Sequence, residues 1–170
     1  AEKDGDMGKD EHHGLANKVQ ELTDTVIKEI DEAKTVQIYN FNRVGERYFY
    51  FKLEVGEEVA RLFYRDGIEG ENRLIVDPAK FGSTDGVYAI QSYSPSRDGS
   101  LVAVMISAGG SEIPTLHVVE TETGTEVGAP IPRVRGRPSW LEDSSGFYYI
   151  QLRPEDPTEP RADRYKRVPS

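Results

Sequence analysis

The chain has 170 residues, with 21 Lys and Arg against 30 Asp and Glu and no Cys, so its formal charge is −9 at pH 7. This length corresponds to one domain. The lack of thiols excludes disulfide scaffolds, cysteine nucleophiles and thiolate metal sites, and it leaves both a cytoplasmic and a periplasmic location open. The acidic excess argues against a nucleic-acid partner, and no apolar run reaches the roughly 20 residues of a membrane helix. A soluble polypeptide is expected, and its opening Ala without a signal pattern favours a processed or shortened one.

The N-terminal segment divides into two parts by composition. Residues 1–14 carry seven charges and almost no apolar surface, so burial cannot offset the entropy lost on ordering them and we expect a disordered tail. Residues 15–34 are predicted to form one amphipathic helix, because apolar residues recur there at helical spacing with polar residues on the opposite side. The apolar positions are Leu15, Val19, Leu22, Val26, Ile30 and Ala33.

Residues 35–170 are typical of an all-β domain, with short β-favouring runs between Gly, Asp, Ser and Pro turns. Three polar turns lead into strands, and their glycines (Gly45, Gly99 and Gly146) are 54 and 47 residues apart. That spacing is close to the roughly 40 to 50 residues of a propeller blade. The strands that follow these turns lie within 43–53, 96–106 and 143–152; others are predicted at 62–66, 73–77 and 115–121, with a short one near Val127.

The strand patterns favour sheets that are buried on both faces. A β-sandwich has a solvated face and needs alternating strands, but LVAVMI (101–106) and FYYI (147–150) are continuously apolar. In RYFYF (47–51) the tyrosines are expected to point to one face and the phenylalanines to the other. A buried parallel sheet would need crossover helices, which the pattern does not show. We therefore predict a mainly β fold, an incomplete β-propeller of about two to three antiparallel blades, preceded by one helix.

The last residues predict an unfinished sheet. A Pro-rich charged loop (153–163) precedes RYKRV (164–168), which resembles the opening of another strand. Propellers close with about four or more blades, and a shorter array has unpaired strand edges and uncovered faces. We therefore expect this segment to belong to a longer chain or to self-associate.

Three arginines occupy alternate positions in RVRGRPSW (133–140). If the segment is extended, Arg133, Arg135 and Arg137 share one face, where their guanidinium groups would hold a carboxylate or a phosphate. The alternative is an exposed, Pro-flanked connection whose arginines balance nearby acidic residues. Both interpretations stay open at this point, and the three arginines are the candidate ligand-binding residues.

Other polar residues are assigned structural roles. His12 and His13 lie in the charged tail, and His117 is expected to be a hydrogen-bonded sheet residue. Acidic residues at 57–58 and at 66, 69 and 71 lack the ligand order of an EF-hand loop, so solvated turns are expected. We predict no catalytic residue, no metal site and no cofactor in this chain.

Four strings, in this order and spacing, resemble the prolyl oligopeptidase family of serine peptidases: RYFYFKL, LFYRDGIEGENRLIVDPAKF, YSPSRDGSLVAVMISAGGSE and PSWLEDSSGFYYIQL. The resemblance covers residues 22–167 and implies the N-terminal helical segment and first blades of that family's propeller. Within it Trp140 is expected to pack between blades. The residues that carry it are Asp77, Pro78, Ser94, Pro95, Asp98, Gly99, Gly109, Gly110, Ser111, Glu112, Thr123, Gly124, Trp140 and Gly146.

The resemblance implies a parent enzyme that cleaves short proline-containing peptides through a Ser-His-Asp triad in an α/β-hydrolase domain. The nucleophile elbow G-x-S-x-G does not occur in this sequence, since GGSEI (109–113) lacks the last Gly. The implied role of this chain is to cover the active site and exclude large substrates, with the hydrolase domain as its partner and no activity alone. The alternative is a stand-alone, non-catalytic β module that binds a peptide or protein through an open strand edge.

Overall fold

The computed structural model describes residues 17–18, 20–24, 35–82, 86–109, 111–154 and 158. It divides the chain into two units, Ala1–Val36 and Gln37–Ser170. In the first unit residues 17–18 and 20–24 are helical, in agreement with the prediction for this segment, and Gln20 Nε2 donates to Asp24 Oδ1 at 2.9 Å. The predicted tail at 1–14, the rest of the predicted helix and the predicted strand at 164–168 lie outside the described residues.

The described part of the second unit contains antiparallel strands that pair with their neighbours in sequence. The strands are β1 (Gln37–Val44), β2 (Arg47–Leu53), β3 (Arg61–Asp66), β4 (Arg73–Val76), β5 (Tyr88–Pro95), β6 (Leu101–Ala108), β7 (Thr115–Glu120), β8 (Val134–Trp140) and β9 (Phe147–Gln151). They form a first sheet β1-β2-β3-β4, a second sheet β5-β6-β7 and a third sheet β8-β9. This succession of meander sheets is the arrangement of propeller blades, as predicted.

Between the first and second sheets lies a short 3₁₀ helix, Pro78–Phe81. Asp77 caps it, because its carboxylate oxygen accepts a hydrogen bond from the Ala79 N–H at 3.1 Å. Pro78 occupies the first turn, where its missing N–H leaves no bond unmade. The Asp-Pro pair is therefore a structural signal at the exit of the first sheet.

The core has two clusters that use opposite faces of β6, whose residues Val102 to Ile106 are all at most 3% exposed. The even-numbered residues of β6 pack toward the first sheet and the odd-numbered residues toward the third. The first cluster is Phe49, Phe51, Leu62, Tyr64, Ile75, Val76, Tyr93, Val102, Val104, Ile106 and Val119. The second is Ala103, Met105, Leu116, Val134 and Trp140. The predicted burial of both faces is confirmed for this strand, and so is the packing of Trp140 between sheets.

The predicted opposition of side chains in β2 is also confirmed. Phe49 and Phe51 join the first cluster, while Tyr50 stacks on Phe63 with ring centroids 6.4 Å apart on the other face. For β9 the prediction of two buried faces is wrong, because Tyr148 is 72% exposed and Tyr149 43%. Among the described strands β9 pairs only with β8, so it is at the edge of the described part of the third sheet.

Polar bonds join the sheets across these clusters. The buried Tyr93 hydroxyl of β5 donates to the backbone carbonyls of Phe49 (3.0 Å) and Asn40, and burial raises its pKa, which keeps it a donor. Trp140 Nε1 of β8 donates to the Ser94 carbonyl at 2.9 Å. These bonds hold β5 between β2 and β8 and so place β5 and β8 side by side.

Candidate functional site

A cavity of about 530 Å³ lies between the second and third sheets. Its floor is formed by the apolar side chains of Met105, Val134 and Leu152, each of which is at most 3% exposed. Its walls come from β5, from the connection before β7 and from β8. The polar lining residues are Gln91, Ser92, Glu112, Arg135 and Arg137.

Two of the three candidate arginines line this cavity, Arg135 and Arg137. They lie two positions apart on β8, which is extended as the binding hypothesis requires, and both are exposed. Residues 134–140 form a paired strand in which Pro138 is buried, so this segment is not the irregular connection of the alternative. Arg133 is directed elsewhere: its Nε donates to the carbonyl of Arg153 at 2.8 Å.

An irregularity in β8 sets the direction of these side chains. The pairing of β8 with β9 shifts between Arg135 and Ser139, and Gly136 lies in the shift with a φ of 77°. A residue with a side chain rarely adopts this φ, so Gly136 allows the strand to bulge where the arginines stand. Gly136 and Pro138 also interrupt the sequence pattern of β8, which is why no strand was predicted there.

The two arginines differ in how they are held. Arg137 Nη2 donates to the Tyr93 carbonyl at 3.0 Å, which anchors its guanidinium to β5. For Arg135 the structure shows no hydrogen bond or ion pair to any described residue, although Glu112 lines the same cavity. The site therefore presents one anchored and one unpaired guanidinium above an apolar floor, an arrangement suited to a ligand that carries a carboxylate beside an apolar group.

Sequence analysis missed the lining residues on β5. Gln91 is oriented by its own bonds, with Nε2 donating to Ser107 Oγ at 2.9 Å and to the Ser111 carbonyl at 3.1 Å. No strand was predicted at 88–95 because Gln91, Ser92 and Ser94 interrupt the apolar pattern, and the register shifts between Ile90 and Ser92. Only the pairing with β6 identifies this segment as a strand.

His117 is a structural residue, as predicted. Its Nδ1 lies 2.6 Å from Glu126 Oε1, and its ring packs edge-on against Phe81 with centroids 4.8 Å apart. The predicted strand near Val127 is reduced to a bridge between Val119 and Glu126 and a bond from Val127 N to the Val118 carbonyl at 2.7 Å. His12 and His13 lie outside the described residues.

Two of the acidic residues that were expected in solvated turns also make ion pairs with arginines. Asp66 accepts a hydrogen bond from Arg47 Nε at 2.7 Å, and this bond lowers the pKa of the Asp66 carboxyl. Glu57 pairs with Arg61.

Over the described ranges, no group of three or more potential metal ligands occurs. Within the same ranges no helix combines the length and the apolar character that crossing a membrane requires.

A family model places these sheets in a known context. The model of the prolyl oligopeptidase N-terminal beta-propeller domain matches residues 12–168. The chain belongs to this family. Prolyl endopeptidase of Elizabethkingia miricola is 28% identical over 127 residues, which are 71% of this chain and 18% of that protein. The chain therefore spans less than a fifth of the length of this curated relative.

Solved structures show the same fold. A structure from a study of two prolyl endopeptidases, concerned with inter-domain dynamics in catalysis and specificity, is 27% identical, has a TM-score of 0.66 and covers 76% of this chain and 19% of that chain. Prolyl oligopeptidase B of Galerina marginata, bound to a 25mer macrocyclization substrate, covers 93% of this chain and 26% of its own with a TM-score of 0.61 and 16% identity. A separate, short similarity is to ribosome-recycling factor of Bartonella henselae, 53% identical over 36 residues, 21% of this chain and 19% of that protein.

Proposed function

We propose that this chain is the substrate-gating propeller part of a prolyl oligopeptidase-like serine endopeptidase that acts on short proline-containing peptides. In this proposal catalysis belongs to an α/β-hydrolase domain outside these 170 residues, and the propeller excludes large folded substrates. The observation that carries it is the family match over residues 12–168, which contains the three successive sheets. The chain alone is inactive in this proposal, since the sequence has no G-x-S-x-G elbow and His117 is bonded to Glu126.

A domain exchange tests the gating role. The matching segment of the Elizabethkingia miricola enzyme is replaced by residues 37–154 of this chain, and kcat/KM is measured for a short proline-containing peptide and for the same site inside a folded protein. We expect the short peptide to be cleaved and the folded substrate to be resisted, as in the unmodified enzyme. A folded exchange enzyme that cleaves both substrates equally would contradict gating.

An active-site probe tests where the catalysis lies. The isolated chain is treated with a fluorophosphonate, and its intact mass is measured, with the unmodified Elizabethkingia miricola enzyme as the positive control. We expect no mass increase, because no activated serine is proposed in this chain. Stoichiometric labelling at a single serine would move the chemistry into this chain and end the proposal.

The exposed β9 strand supports a second candidate, a stand-alone module that binds a peptide or protein partner by strand addition. Its support is that Tyr148 and Tyr149 are exposed and that, among the described strands, β9 pairs on one edge alone. The mass of the native gene product, detected with an antibody against this segment, separates the two candidates. A product several times heavier than 19.1 kDa favours the peptidase, and one near 19.1 kDa favours the module.

A further inference from the structure

The cavity between the second and third sheets combines features that point to one class of ligand. We propose that it binds an acidic peptide, with the carboxylate held by Arg135 and Arg137 and a neighbouring apolar side chain resting on Met105, Val134 and Leu152. The proposal rests on the proposed function only in taking a peptide as the ligand. The cavity itself is defined by its own residues.

The first argument concerns the unpaired charge. The chain carries a formal charge of −9, so its arginines have many carboxylates available as partners. Arg47, Arg43 and Arg61 each make an ion pair. Arg135 makes no hydrogen bond or ion pair with any residue in the described ranges, although Glu112 lines the same cavity. A guanidinium at a cavity wall that is left unpaired on an acidic protein is available to a carboxylate from outside.

The second argument concerns the positions of the two groups. Arg137 is fixed by its bond to the carbonyl of Tyr93, a residue with no exposed surface, and this bond uses one of its five N–H donors. Arg135 stands on the same side of β8, next to Gly136 in the bulge. One guanidinium is thus preorganised and the other can adjust to the ligand, so both can donate to one carboxylate.

The third argument separates a carboxylate ligand from a phosphate. The floor of the cavity is formed by apolar side chains that are almost fully buried, and Glu112 places a negative charge on the lining. A doubly charged phosphate would be repelled by Glu112 and would leave the apolar floor unused. A peptide carboxylate carries a single charge and brings apolar side chains with it. Both an acidic side chain and a terminal carboxylate meet this requirement.

The test uses the whole chain and three fluorescently labelled peptides: acetyl-Leu-Pro-Glu-Leu amide, its Gln counterpart, and the Gln peptide with a free C-terminal carboxylate. Dissociation constants are measured by anisotropy. We expect at least one carboxylate peptide to bind about tenfold more tightly than the Gln amide, and the peptide that does so identifies the source of the carboxylate. Equal binding of all three, or no saturable binding, would overturn the proposal.

Variants assign the effect to the cavity. Arg135→Gln is expected to abolish the carboxylate preference, a loss of about tenfold for the charged peptide with no change for the Gln amide. Arg137→Lys keeps the charge but loses the fork, so a smaller loss is expected. Arg73→Gln removes an equal charge from the first sheet and is expected to change nothing. Thermal unfolding verifies that each variant is folded, and a folded Arg135→Gln variant that keeps the preference would overturn the proposal.

The outcome is independent of catalysis. Binding is measured without hydrolysis, so labelling by a serine probe would end the proposed function and leave this result intact. If the unmodified chain shows no carboxylate preference, the binding proposal ends and the gating role is untouched.

Discussion

At the residue scale, Asp98 shows how one side chain defines a turn of this fold. Its Oδ1 accepts hydrogen bonds from Ser96 Oγ (2.6 Å), Ser100 Oγ (2.8 Å) and Ser100 N (3.1 Å), and these bonds, that from Ser96 first, lower the pKa of Asp98 to about 2. The Asp98 N–H donates to Ser144 Oγ at 3.1 Å, in the turn before β9. The turn before β6 is thereby fixed internally and against the third sheet.

This arrangement predicts a pH-dependent contribution to stability. The folded pKa of Asp98 lies below the reference value of 3.8, so its contribution is fully present above that value and is lost as the pH falls toward about 2. Asp98→Asn is expected to lower the free energy of unfolding by less than about 1 kcal/mol at neutral pH, because the carboxylate is exposed, and by progressively less as the pH falls through the folded pKa of about 2. Urea unfolding of both proteins across this pH range measures the difference.

Glu69→Gln is the matched control for that experiment. Glu69 makes no hydrogen bond to any described residue, so its replacement is expected to leave the urea midpoint nearly unchanged at every pH. A difference between wild type and Asp98→Asn that persisted undiminished at the lowest pH would show that the charge of Asp98 is not what stabilises the turn.

At the element scale, Arg47 of β2 connects the first sheet to the second. It donates to Asp66 at 2.7 Å within its own sheet, and it reaches the Gly99 carbonyl and Glu122 at 3.3 Å each in the turns of the second. Its guanidinium also lies over the Tyr64 ring, 4.7 Å from the centroid. The Arg47 side chain is only 19% exposed, so these bonds are partly shielded from water.

Replacing Arg47 should therefore destabilise the contact between sheets. Arg47→Met is expected to lower the free energy of unfolding by about 1 to 3 kcal/mol, because Asp66 and the Gly99 carbonyl lose a charged donor. Arg43→Met is the control, since Arg43 is 55% exposed at the side chain and pairs with Glu46 within one hairpin, and a change below about 0.5 kcal/mol is expected. Equal effects in urea unfolding would show that Arg47 does not connect the sheets energetically.

The sequence predicted some elements better than others, for physical reasons. The apolar runs in β2, β3, β6 and β7 stand out because both faces or one full face of these strands are buried. No strand was predicted for the first residues of β1, for β5 or for β8. Polar residues or a bulge interrupt the apolar pattern in each of them, and in β8 Gly136 and Pro138 do so as well. The sequence showed that Arg135 and Arg137 are two positions apart, but their common position at the cavity depends on the bulge at Gly136 and on β5 and β8 lying side by side, which the tertiary hydrogen bonds determine.

At the scale of the whole molecule, the outer strands predict self-association of the isolated chain. Ile38, Tyr39 and Phe41 of β1 are between 43% and 56% exposed, and Tyr148 of β9 is 72% exposed. Such edges recruit further strands or apolar partners. Sedimentation velocity is expected to show species larger than a monomer that increase with protein concentration.

Lysine substitution locates the contact. Tyr148→Lys is expected to shift the distribution toward monomer, because a charge on an edge strand blocks further pairing, whereas Val55→Lys, at a residue 55% exposed in the turn after β2, should not. A monomer at all concentrations from about 1 to 100 µM in the wild type would mean that these faces are stable in water as they stand.

The two-sided burial of β6 has a consequence for how the molecule loses its structure. Residues Val102 to Ile106 of this strand alternate between two clusters, so the first and third sheets are coupled through one shared element. Opening of the third sheet uncovers one side of β6, while the other side stays closed against the first sheet. The three sheets therefore form a short one-dimensional array. Local unfolding is expected to begin in a terminal sheet and to involve the central strand β6 last.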